Sequence, residues 1–182
     1  MAGNAEDGGG RRGSRWRLAV WGSAALMMLL PLVAMQVTDE MDWGLADFAL
    51  LGAMLASAGG TFELAARVTG NHSYRAAVVV ALGAALLLVW MNLALGIIGS
   101  EDNPANRLYF GVLAVGLIGA VIARFQPHGM ARALVATALA QALVAVIAGV
   151  GHTFILTGFF VALWLLSAWL FQRAHAGSAS TA

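Results

Sequence analysis

A chain of 182 residues with 60% hydrophobic side chains, 10% charged side chains and a mean hydropathy of +0.81 lacks the polar material to coat a water-soluble fold. A formal net charge of +1 argues against a nucleic-acid partner, and the absence of cysteine excludes disulfide frameworks and thiolate metal centres. Soluble domains carry about 25% charged residues, so lipid is the solvent this composition fits.

Taken in chain order, residues 1–14 are polar and Gly-rich and read as a disordered tail. Arg11, Arg12, Arg15 and Arg17 then precede an apolar run from Leu18 to Val37. That run is too long for a signal-peptide core and no small-x-small cleavage site follows it, so a retained membrane helix is expected. A helix needs about 20 apolar residues to cross the hydrocarbon core. Segments 17–37, 46–66, 76–98, 108–124, 132–149 and 153–171 approach that length. The expected fold is therefore all-α: a polytopic integral membrane protein with six transmembrane helices over residues 15–172 and a short tail over 173–182.

Local signals refine this outline. Pro31 lies inside the first span and predicts a kink. The stretch Asn103-Pro104-Ala105-Asn106 reads as a turn before the fourth span. Only Val150, Gly151 and His152 separate the last two spans, which predicts a tight hairpin with Gly151 ending one helix and Thr153 capping the next.

Orientation follows from the basic residues, all of which are arginine. With both ends inside, every arginine except Arg107 falls on the cytoplasmic side, while Asp39, Glu40, Asp42, Asp47, Glu101 and Asp102 fall outside. The positive-inside rule thus predicts cytoplasmic N- and C-termini in a bacterial-type inner (plasma) membrane. Trp16, Trp21 and Trp169 fall near the inner interface and Trp43 near the outer one; Trp90 and Trp164 lie deeper and are assigned to packing.

Sliding the chain so that Arg67 meets Arg124 also brings Arg75 onto Arg132 and aligns Ala76, Val78, Ala81 and Leu82 with Ala133, Val135, Ala138 and Leu139. The shared Arg-x7-Arg spacing suggests a parallel duplication of a two-helix hairpin. Chance matching of Ala, Leu and Val is the competing explanation.

Three polar residues inside the spans form the candidate site: Glu63, Asn92 and Gln141. Glu63 shares a helical face with Gly60, Gly59, Ala56 and Gly52, where small residues let helices approach, and so should face protein. It reads either as a carboxylate handling protons or cations, or as an ion-pair partner of Arg67 one turn away or of Arg75. Asn92 and Gln141 read either as interhelical hydrogen-bonding groups or as substrate-lining ones. His72 and His128 fall in the inner loops, and the acidic outer loops with His152 offer a weak divalent-cation motif.

No nucleotide-binding, zinc-protease or serine-nucleophile motif is present, and no arginine ladder enters a span. No catalytic residue, cofactor-binding residue, metal ligand or cofactor is assigned. Two functions remain open. One is a non-enzymatic membrane scaffold or regulatory protein whose partners are the lipid bilayer and a membrane protein or a second copy of itself, with no nucleic acid. The other is a small transporter or ion-conducting protein using the intramembrane polar residues.

Overall fold

The computed structural model describes residues 7–37, 43–94, 97–98, 103–149 and 151–179. They form six α-helices: α1 Asp7–Val37, α2 Leu45–Val68, α3 His72–Ala94, α4 Leu108–Ile122, α5 Pro127–Ala148 and α6 Gly151–Ala179. A single 3₁₀ turn, Pro104–Arg107, leads into α4; the Asn103 side chain accepts from Ala105 N–H at 3.0 Å, so the Asn-Pro signal marks this turn. Six helical segments are long and apolar enough to cross a membrane, the fourth being the 3₁₀ turn and α4 together, Pro104–Ile122. Asp39, Glu40, Asp42, Glu101 and Asp102 lie outside the described residues.

Four local expectations are corrected. First, α1 reaches back to Asp7, into the stretch read as a disordered tail. Extending an existing helix needs no new nucleus, and Arg11 and Arg12 are good helix formers. Second, α6 continues past the expected end of the sixth span at residue 171, through part of the short C-terminal tail, to Ala179. Third, Gly149 and not Gly151 takes the left-handed position that ends α5, at φ +63°. Fourth, Thr153 is not a cap: it lies inside α6, and its hydroxyl donates to the Ile97 carbonyl at 3.2 Å. The helix assignment of α1 is continuous through Pro31.

The chain divides into two compact units, residues 1–64 and 65–182, described separately below. In the first, α1 and the body of α2 run antiparallel, since Arg17 meets Glu63, Trp21 lies over Gly59 and Met28 lies against Gly52. Small residues line this contact: the flexible end of Met28 lies 2.9 Å from where a β-carbon at Gly52 would stand, and the Trp21 ring packs at 3.5 Å from the same point at Gly59.

In the second unit α6 packs against α3 and α5, α5 packs against α4, and α4 touches α3 more lightly. The arginine-rich end is fixed by Asn71 Nδ2 donating to Ala174 O, by Tyr74 Oη donating to Phe125 O at 2.8 Å, and by the edge-on contact of Tyr74 with Phe171. At the opposite end Ile98 N donates to Asn106 Oδ1 and Thr153 reaches Ile97. Alternating helix directions follow, giving an up-and-down four-helix arrangement. Close packing of α4 on α5 depends on Gly119, where a β-carbon would stand 2.7 Å from Ala133 Cβ and 3.3 Å from its Cα.

The aligned arginines of the suspected repeat differ in local structure. Arg67 lies within α2, whereas Arg124 and Phe125 adopt left-handed conformations, φ 48° and 57°, in the turn after α4. Arg75 donates from Nη2 to Ala66 O at 2.6 Å and from Nε to Thr69 O at 2.9 Å, satisfying carbonyls at the end of α2. Arg132, its counterpart, is exposed on α5.

Candidate functional site

The three candidate residues fall in two places: Glu63 in the first unit, Asn92 and Gln141 in the second. Glu63 sits near the end of α2 with its side chain 12% exposed. Its Oε1 lies 2.9 Å from Nη2 of Arg17, and its Oε2 accepts from the Trp21 indole at 3.4 Å. Arg17 was not among the expected partners, Arg67 and Arg75. Position i+4 on one helix draws attention to Arg67, while the hairpin brings Arg17 and Trp21 from a separate helix to the same carboxylate. Arg75, for its part, is committed to the carbonyls ending α2.

The small-residue face of α2 is therefore divided. Gly52 and Gly59 are covered by Met28 and Trp21, while Ala56 and Gly60 are exposed, with nothing within 4 Å of a β-carbon built at Gly60. Ala53, Ser57 and Thr61 are exposed as well. The hydroxyls of Ser57 and Thr61 donate to the carbonyls of Ala53 and Ser57 on their own helix.

Gln141 and Asn92 are buried in the second unit. Both side-chain polar atoms of Gln141 and the Oδ1 of Asn92 lack a hydrogen-bond partner among the described residues. Three further buried groups share that condition: the Tyr109 hydroxyl, the Thr157 hydroxyl and the Trp164 indole N–H. The Thr157 hydroxyl lies beside the Tyr109 phenol without a hydrogen bond of good geometry between them. Neither Tyr109 nor Thr157 stands out in the sequence, and Trp164 stands out only as a deep packing residue. The signal that marks two of them is the α6 stripe Thr153, Thr157, Phe160, Trp164, Ser167 and Phe171, spaced by three and four and buried throughout.

Helix registers order these groups along the bundle. Thr137 faces Gly116 and Ala133 faces Gly119 across α4 and α5, which puts Gln141 about one turn further toward the end that carries Tyr109. Gln141 lies about two turns before Gly149 in the α5–α6 hairpin, level with the α6 segment between Thr157 and Trp164. The groups are amide, phenol, hydroxyl and indole, all uncharged at neutral pH. Ser167 shows the bonded alternative, donating to Ala77 O at 2.7 Å on α3.

The histidines lie on helices and not in loops. His72 opens α3, and His128, in the first turn of α5, has its ring 5.3 Å from that of His175 on α6. Trp169 carries the Arg173 guanidinium 4.1 Å above its ring, and Trp43 meets Phe48 edge-on. Trp164 is buried, as expected of a packing residue.

No protein-family model matches this chain, and neither a curated protein nor a solved structure matches it.

Proposed function

We propose that this chain is a non-enzymatic scaffold or interaction protein of a bacterial-type inner membrane, with both termini in the cytoplasm. The observation that carries the reading is the engagement of Glu63 by Arg17 and Trp21. An acid that relays ions must exchange protons or cations with a water path. A carboxylate held by a guanidinium and an indole from the neighbouring helix instead fastens a hairpin. The surface offered to a partner, a second copy or another membrane protein, is the exposed α2 face of Ala53, Ala56, Ser57, Gly60 and Thr61. Small residues at this spacing let a second helix backbone come close.

Photocrosslinking in native membranes tests the reading. A benzophenone amino acid at Ser57 is expected to give a protein adduct of one discrete mass, and the same probe at the exposed Leu117 on α4 only lipid adducts. Lipid adducts alone at both positions would count against it. Periplasmic reporters supply the orientation: silent after Ala182, active when inserted between Ile98 and Asn103.

One observation favours a second reading, a transporter for a small polar solute. Gln141 and Asn92, with Tyr109, Thr157 and Trp164, hold polar atoms inside the bundle that have no partner among the described residues.

A further inference from the structure

Six buried side-chain atoms without a hydrogen-bond partner among the described residues, all in one four-helix unit, demand an account. Each unsatisfied buried polar atom carries a desolvation cost that no hydrogen bond offsets. Together they would consume a large part of the small margin by which a domain is stable. Hydrocarbon provides no competing partner, so the cost is not relieved from the lipid side. The Tyr109 and Thr157 hydroxyls lie close to each other, and pairing between them would leave each with unused capacity and both polar atoms of Gln141 still without a partner among the described residues.

We propose that the α3–α6 unit contains an internal hydration site centred on Gln141, with Tyr109 and Thr157 as its other principal walls. Three features select the guest. It must both donate and accept, because Gln141 presents an unpartnered NH₂ and an unpartnered carbonyl oxygen while the two hydroxyls can do either. It is uncharged, because these walls carry no formal charge that could compensate an ion in a low-dielectric interior. It is small, because Val112, Val144 and Phe160, each one turn from Tyr109, Gln141 and Thr157 on their own helices, are themselves buried and occupy the neighbouring interior. Water meets all three conditions, and buried water commonly makes about three hydrogen bonds to otherwise unsatisfied groups. A small amide such as formamide offers the same hydrogen-bonding chemistry.

This occupancy is independent of whether anything crosses the membrane, so it stands or falls apart from the interaction reading. The groups also extend along the bundle. Asn92 lies in the last turn of α3, and Trp164 lies about two turns further along α6 than Thr157. Ordered water at Gln141 therefore has polar neighbours in both directions.

The test is water contact at the Gln141 side chain in the full-length protein in nanodiscs, with ¹⁵N-labelled glutamine. The other glutamines, Gln36, Gln126 and Gln172, are exposed and can each be replaced to assign the fourth. The expected result is a cross-peak between the Gln141 NH₂ protons and long-lived water, which weakens in Thr157→Val. Formamide that displaces the water cross-peak upholds the site and adds small amides to its guests; persistence of the cross-peak upholds it with water alone. Absence of any water cross-peak overturns the proposal, and so does a cross-peak indifferent to Thr157→Val.

Discussion

Arg17 on α1 and Glu63 on α2, far apart in sequence, meet at 2.9 Å, and Trp21 one turn along α1 donates to the same carboxylate. The guanidinium side is half exposed, at 55%, and the carboxylate side is largely covered, at 12%. This asymmetry places the pair between a solvated surface bridge and a buried one. An exposed pair contributes about 0.2–1 kcal/mol. A double-mutant cycle on Arg17→Gln and Glu63→Gln, read by denaturation in detergent, should return a coupling in that range that shrinks with added salt. Zero coupling at low salt would remove the clasp from the account.

Glycine at helix contacts separates the two kinds of small-residue face. At Gly119 a β-carbon meets Ala133 Cβ and Cα, and part of that contact is backbone that cannot move aside. Gly119→Ala is expected to cost about 1–3 kcal/mol through overpacking of α4 on α5. Gly60→Ala meets nothing and should stabilise α2 by about 0.5–1 kcal/mol through reduced backbone freedom in the unfolded chain. Paired melting curves decide it, and equal shifts would contradict the contact geometry.

The Arg75 guanidinium spans Ala66 O and Thr69 O with two different nitrogens. Hydrogen bonds to charged groups contribute about 1.5–3 kcal/mol, so Arg75→Gln should lose a comparable amount. Arg75→Lys should recover only part of it, because an ammonium lacks the planar fork. Full rescue by lysine, measured as unfolding midpoint, would show that charge alone matters there.

The parts of this fold that were legible in the sequence are those governed by local hydropathy. Six helices stand where the apolar runs are, and the interior position of Gln141 follows from its helical neighbours Thr137 and Ala145, buried beside it. Pairings across helices were not legible. Charge and the i,i+4 spacing point to Arg67 as a partner of Glu63, and it is the hairpin register that brings Arg17 and Trp21 to the same carboxylate. Gly149 and Gly151 flank one residue, and glycine alone does not say which adopts φ +63°. The unpartnered polar groups of Tyr109, Thr157 and Trp164 were not legible for a related reason. Each carries a polar group that can be satisfied locally or at an interface, and its lack of a partner emerges only once three helices close around it.

The central claim is that Glu63 fastens a hairpin and does not relay ions, and ion flux in proteoliposomes tests it most directly. Purified protein should give no proton or cation flux above protein-free liposomes under an imposed gradient. Glu63→Gln should leave that baseline unchanged and lower the melting temperature slightly. A wild-type flux that disappears in a Glu63→Gln variant of undiminished stability would contradict the account and return Glu63 to the ion pathway.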